Sequence, residues 1–352
     1  MVLTLGALWI AFRTFKAPPI VRPTWGSLPL ALLIGWVVIQ MFHLMIWPII
    51  SATGKYMSNP WPWMAFLQII VILVWFTDSC RAFTFKDLNG LAKTIAIIGV
   101  FLALYMVGQS QDFDPLIHYA DKTFGGLTWL HGNHIIGLMG NPFHAASTAA
   151  VCFPAILALR WHLAAVIALV ALTLSGSASG ILFAVFGGLA VLWSQRRFFL
   201  LKVSGALSLI GLGYGASTAD ALNEHGRLII WQQAIEKWHQ SPVEGLGLGS
   251  FKLLGITDPI PPGYAVRWAH NEWIQVLTEL GIIGLSLIAI WVLSLFWNLR
   301  RDLRRVPAAW LGMSVTCFGL SILATPWHMA PTVIVTLLCL VALEVSKEKR
   351  NA

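Results

Sequence analysis

Charge is scarce in this sequence. Only 11% of its 352 residues are Asp, Glu, Lys or Arg, while 57% are hydrophobic. A soluble domain carries about 25% charged residues. A chain this apolar has too little polar surface to cover itself in water, so lipid must serve as its solvent. Cysteine is sparse as well. Cys80, Cys152, Cys317 and Cys339 lie in or beside apolar runs without CxxC spacing. That pattern argues against a zinc site or a disulfide framework and reads them as small hydrophobes. The opening MVLTLGALWIAF has no basic stretch and no cleavage site. It reads as a short first span, or the remnant of one, and not as a signal peptide. No convincing internal repeat is present.

What is there is a succession of apolar runs. A membrane helix needs about 20 such residues. Runs fall at 1–12, 28–50, 62–79, 88–107, 141–159, 162–176, 180–194, 198–215, 272–298, 307–325 and 329–345. They predict an all-α, polytopic transmembrane bundle of about eleven spans. Residues 1–352 then form a single integral membrane domain.

The net charge of +8 does not imply nucleic acid, because the basic residues sit in short clusters between spans. One set of loops holds Arg13, Lys16, Arg22, Arg81, Lys86, Lys93, Arg160, Arg196, Arg197 and Lys202. The same set continues with Arg300, Arg301, Arg304, Arg305, Lys347, Lys349 and Arg350. The alternate loops hold Lys55, Lys122, Arg227, Lys237, Lys252 and Arg267. The positive-inside rule puts the first set, and the carboxyl terminus, in the cytoplasm. The outer face then carries two long loops, about 108–140 and 216–271.

The second outer loop has structure of its own. In EHGRLIIWQQAIEKWHQSP, Leu228, Trp231, Ile235 and Trp238 recur at helical spacing, predicting an amphipathic helix that ends before Pro242. Gly245, Gly247 and Gly249 follow in a Gly-rich turn. ITDPIPPGYAVRW reads as an irregular, Pro-rich lead into the next span. Most histidines fall on the same face, as long outer loops alone would allow. His131 and His134 have an HxxH spacing that permits a metal, but no carboxylate pair accompanies them, so no metal is expected.

The sharpest feature is HNEWIQVLTELGIIG, residues 270–284. On one continuous helix Gly281 and Gly284 would lie within about 20° and 40° of His270. A neighbouring helix could then approach closely on that stripe and fix the height of the His. An ordinary interfacial His on a packed helix has the same spacing. Glu272, Gln275 and Glu279 lie on the opposite side. Glu279 is a carboxylate inside an apolar segment, either functional or bonded to a partner helix. Arg227, Arg267 and Lys252 are outside cations that suit a phosphate, although each alone reads equally as a solvated surface charge. Asn141 and His144 in GLMGNPFHAASTAA open another span.

GNPFHAA, GRLIIWQQAIEKWHQSPVEGLGLGSF and HN followed by nine residues and GIIG together resemble the O-antigen ligase family. Its relatives are the O-antigen polymerases and O-linked oligosaccharyltransferases. The resemblance covers about residues 130–300. It implies a C-type glycosyltransferase of the bacterial inner membrane, without metal or other cofactor. Its donor would be a glycan on undecaprenyl diphosphate, and its acceptor the lipid A core or another glycan, used on the periplasmic face. His270 matches the family's essential His, as base or acceptor-positioning group; free imidazole titrates near ~6.5, which suits either role. Arg227 matches an Arg that holds the diphosphate. Trp231, Gly245, Gly247 and Gly249 match the periplasmic loop, and Asn271, Glu279, Gly281 and Gly284 the supporting helix. In LTLSGSASGILF, Ser177 or Ala178 stands where the family usually has an Arg, and Arg267 is the candidate replacement. A transporter or flippase, and a catalytically inactive homologue, are the readings of another class.

Overall fold

The computed structural model describes residues 82–114, 142–197, 226–259, 262–299, 306–324 and 330–348, with isolated positions at 32, 36, 76, 79, 80, 135, 137, 138, 303, 326 and 327. Apart from such single positions, the spans expected at 1–12, 28–50, 62–79 and 198–215 lie outside the described residues. The helices among the described residues are α1 (Phe85–Gln109), α2 (Pro142–Ala158), α3 (His162–Leu174), α4 (Ala178–Ser194), α5 (Arg227–Trp238), α6 (Glu272–Leu299), α7 (Ala308–Leu323) and α8 (Ala330–Glu348). Seven of them coincide with expected spans, and α5 is the expected loop helix. Between α5 and α6 a 3-10 turn, Phe251–Leu253, leads into an antiparallel ribbon of β1 (Thr257–Pro259) and β2 (Pro262–Ala265). The stretch read as irregular therefore contains a short ribbon.

Local chemistry explains the helix ends. Thr84 and Asp87 form a reciprocal capping box at the start of α1, satisfying two donors that the first turn leaves orphaned. Pro142 opens α2, where its missing N–H costs nothing. Ser177 caps α4 by accepting a hydrogen bond from the Gly180 N–H. Ser177, one of the two residues at the place of the expected Arg, is thus a buried helix cap.

The chain divides into two compact units, one of residues 83–221 and 302–352 and the other of residues 1–82 and 222–301. In the first, α4 and α7 meet through small residues. A Cβ on Gly187 would fall 2.7 Å from the Gly312 carbonyl oxygen and 2.8 Å from the Pro154 ring. The Thr316 hydroxyl donates across the same contact to the Phe183 carbonyl, at 3.0 Å. Trp310, fully buried, donates its indole N–H to the Leu88 carbonyl of α1. Small-residue contact with hydroxyl cross-links is the packing mode of helices in lipid, where apolar burial alone gives little drive to associate.

The outward faces are apolar. On α1, Ile98, Phe101 and Leu104 are exposed; on α3, Leu163, Val166, Val170 and Leu174; on α6, Ile282, Ile290, Leu293 and Trp297. Such stripes would be a large apolar surface in water and fit lipid. Helix α1 and residues Glu272–Trp297 are long and apolar enough to cross a membrane, and five further apolar helices are shorter. This is the character of a helical membrane protein. The number of spans rests on residues beyond those described.

Candidate functional site

The second unit holds the expected outer-loop helix, the Gly-rich turn and the His270 segment. All are fastened to one small core of Ile230, Ala234, Phe251, Ile256, Val266 and Ala269. Helix α5 divides its faces accordingly. Ile230 and Ala234 point into this core, while Leu228 and Ile229 are exposed. Arg227 opens the helix on its buried side and is only 3% exposed. A guanidinium taken from water is costly unless polar or anionic groups receive it. One turn on, Trp231 donates its indole N–H to the Ala269 carbonyl at 2.8 Å. This bond ties α5 to the residue before His270.

His270 itself is half-buried and sits at φ +52. Left-handed backbone in a residue with a Cβ costs roughly 1–2 kcal/mol, and surrounding bonds hold it there. The Ala269 N–H donates to Gln275 Oε1 at 3.1 Å. Asn271 is the N-cap of α6, its Oδ1 accepting from the Trp273 and Ile274 N–H groups at 2.9 and 3.0 Å. His270 therefore precedes α6 and is not part of it.

That position overturns the expected stripe. Gly281 has φ +67 and ψ −172, and the helix is broken there. The Gly-rich loop enters the break. The Leu246 and Gly247 N–H groups donate to the Thr278 and Glu279 carbonyls at 2.9 and 2.8 Å. In return the Ile282 and Ile283 N–H groups donate to the Pro242 and Val243 carbonyls at 3.1 and 3.4 Å. In an intact helix residues 278 and 279 would bond 282 and 283 directly. The loop substitutes for both partners. The Trp36 indole takes up the Leu280 carbonyl at 3.0 Å. Gly245 and Gly281 press together: a Cβ on Gly245 would lie 2.4 Å from Gly281 N. The glycines of 281–284 were expected to admit a helix. Gly281 admits a loop backbone, and Gly284 lies against Leu280 of its own helix.

Glu279 completes the joint. Its carboxylate, 7% exposed, accepts from the Gly249 N–H at 2.8 Å, the Phe251 N–H at 3.2 Å and Gln275 Nε2 at 3.3 Å. Gln275 and Glu279, one turn apart, thus form a buried relay from Ala269 to the Gly-rich loop. The signal that could have found it is the i,i+4 spacing of Gln275 and Glu279, since polar groups buried in an apolar helix need hydrogen-bond partners. Beyond the break, from Ile282 to Leu299, the helix carries no charge. Those residues rise about 27 Å, close to the thickness of a bilayer core, so Glu279 belongs to the loop-bound half of α6.

The three loop glycines do not offer their N–H groups outward. Gly245 donates to the Ser241 carbonyl, Gly247 to the Glu279 carbonyl and Gly249 to the Glu279 carboxylate. Arg267, exposed, follows Val266, whose N–H is fixed on the Ile256 carbonyl at 2.9 Å. Lys252 follows Phe251. Its ammonium is pulled below the usual lysine range by burial, with Arg267 adding to the shift and Glu279 opposing it. Arg227, Lys252, Arg267 and His270 thus each stand within a helical turn of a residue of the same core. His131, His134 and Asn141 lie outside the described residues. Among those described, no cluster of His, Cys, Asp or Glu has the makings of a metal site.

Residues 163–289, about a third of the chain, match the O-antigen ligase family. The matched stretch runs from α3 into α6 and includes α5, the Gly-rich loop, the ribbon and the break at Gly281, though not Trp36. It supports assignment of the chain to that family. Family members are glycosyltransferase-like enzymes acting on lipid-linked glycans and acceptors. A search of curated proteins found no match.

Proposed function

We propose that this protein transfers a glycan from undecaprenyl diphosphate to the lipid A core on the periplasmic face of the bacterial inner membrane. The observation that supports this reading is that Arg227, Arg267 and His270 each lie within a turn of a residue of one small core inside the family-matched stretch. An acceptor hydroxyl attacks the anomeric carbon, and undecaprenyl diphosphate leaves. His270 takes the hydroxyl proton or orients the acceptor. Arg227 and Arg267 hold the diphosphate and offset charge as it grows on the leaving oxygen. The reaction needs no metal if these cations carry that work. The relay Ala269–Gln275–Glu279 keeps the His segment and the loop in fixed register, as preorganised catalysis requires.

The same chemistry serves a polymerase or a protein O-oligosaccharyltransferase, with only the acceptor changed. A ligase-deficient strain expressing the wild type distinguishes them. Attachment of O-antigen to lipopolysaccharide, lost in His270→Ala at equal expression, is the expected result. Attachment that survives His270→Ala rules out the role of that residue. Absence of attachment by a well-expressed wild type moves the reading to another acceptor.

A further inference from the structure

Helices α2 and α4 run parallel. Gly180 of α4 lies against Ala146, Gly187 against Pro154 and Gly188 against Leu157, in the same order along both helices. A hydrogen bond joins their carboxyl ends: Gln195 Nε2 donates to the Ala158 carbonyl at 3.0 Å. Each helix closes with the same turn. The Arg160 and Trp161 N–H groups donate to the Leu157 and Ile156 carbonyls at 3.0 and 3.3 Å. The Arg196 and Arg197 N–H groups donate to the Trp193 and Leu192 carbonyls at 3.1 and 2.9 Å. Glycine usually fills the left-handed position of such a turn. Here both hold arginine, with φ +63 at Arg160 and +58 at Arg196.

Two ordinary explanations fall short of that repetition. The bias of basic residues toward one side of a membrane calls for Arg in these loops, but any loop position would serve it. The negative ends of two parallel helix dipoles attract cations, yet at an exposed position that attraction is smaller than the strain of one left-handed residue with a Cβ. The side chains of Arg160 and Arg196 are exposed. Among the described residues no side chain bonds to them or to Arg197. The surroundings suit lipid. Trp161 and Trp193, half-buried, stand beside the turns in sequence, as aromatics do at a bilayer surface. The exposed apolar stripe of α3 begins at Leu163, three residues after Arg160, and continues through Val166 and Val170.

We propose that Arg160, Arg196 and Arg197 form a binding site for the headgroup of an anionic phospholipid, whose acyl chains lie along α3. Basic groups at the membrane ends of helices gain from anionic lipid, and the guanidinium fork matches phosphate oxygens. The Gln195–Ala158 bond holds the two turns together as one site. The site lies within the first compact unit and is independent of the glycan-transfer reading.

The test is native mass spectrometry of delipidated full-length protein titrated with cardiolipin or with zwitterionic phosphatidylethanolamine. Wild type is compared with the pair Arg160→Gln and Arg196→Gln and with the pair Arg160→Lys and Arg196→Lys. The Gln pair should weaken cardiolipin binding roughly thirtyfold, at about fivefold per charge, and leave phosphatidylethanolamine binding unchanged. The Lys pair should keep most of the binding. A second variant, Arg160→Gly with Arg196→Gly, removes the strain along with the charge. Without lipid it should unfold at a higher temperature than wild type. Added cardiolipin should then raise the unfolding temperature of wild type and not that of the Gly pair. Two arginines that merely cap helices would leave the lipid response equal in both. Cardiolipin binding by the Gln pair within about twofold of wild type, or an equal cardiolipin response in the Gly pair, overturns the proposal. So does an Arg-dependent response to inorganic phosphate with none to cardiolipin, which would mark a site for a free anion.

Discussion

Replacing Gly281 with Ala tests the joint on which the site is built. An added Cβ would lie 2.2 Å from the Val243 carbonyl oxygen, 2.5 Å from the Val243 carbonyl carbon and 2.6 Å from that of Glu244. These are backbone atoms and cannot swing aside. The conformation, φ +67 and ψ −172, is one that a residue with a Cβ holds only at a cost of roughly 1–3 kcal/mol. The loop must withdraw or the strain must be borne. Withdrawal breaks the four backbone bonds between residues 242–247 and 278–283, about 1 kcal/mol each. Closing the helix across the gap recovers some of that. The net loss is roughly 3–6 kcal/mol, against a stability of about 5–15 kcal/mol for a folded domain. Gly249→Ala is the control. Gly249 also has a positive φ of +75, but nothing lies within 4 Å of its would-be Cβ, so only about 1–2 kcal/mol of backbone strain applies. Hydrogen exchange in detergent or nanodiscs reads the outcome. Gly281→Ala should strip protection from the amides of Leu246, Gly247, Gly249 and Phe251 and abolish transfer, while Gly249→Ala keeps most of both. Full protection and near-wild-type stability in Gly281→Ala would refute the reasoning.

Substitutions at three further positions probe the same frame. Glu279→Gln keeps one acceptor oxygen but turns an amide toward the Gly249 or Phe251 N–H, and should cost about 1–3 kcal/mol by thermal unfolding, with looser amides at 249–251. Trp231→Phe removes the bond to the Ala269 carbonyl. It should cost about 1 kcal/mol and lower kcat more than it raises the KM for donor, since Arg227 stays in place. His270→Gly and His270→Ala should both lack transfer, yet the Gly variant should be the more stable by about 1 kcal/mol, because Gly accepts φ +52 without strain. Equal stability of the two would show that the backbone there relaxes when the imidazole is gone.

Much of the frame was legible from residue order. Apolar runs predicted α1–α4 and α6–α8 within a few residues, because period and length speak directly in a chain with so little charge. The amphipathic α5 was legible for the same reason. The break at Gly281 was not. A glycine in an apolar run reads as a helix contact, and only a loop thirty-odd residues upstream in the chain makes it a breach. That pairing is tertiary, and no local pattern announces it. Glu279 was visible as an anomaly but its partners were not, because they are main-chain N–H groups and carry no sequence signature. His270 was read as the head of a helix stripe and Asn271 as part of the supporting helix. They prove to be a strained residue and the N-cap of the helix that follows, a distinction that depends on one backbone angle.

The central claim is that His270 acts on a lipid-linked glycan within this frame. It is tested most directly with purified protein in nanodiscs, an undecaprenyl diphosphate-linked oligosaccharide and lipid A core, following acceptor mass and released undecaprenyl diphosphate. The account predicts that wild type glycosylates the core and that folded His270→Ala does so at least roughly a hundredfold more slowly, the usual loss when a proton-transfer group is removed, while still binding donor. Equal rates for the two proteins, or a folded wild type that releases no undecaprenyl diphosphate, would contradict it.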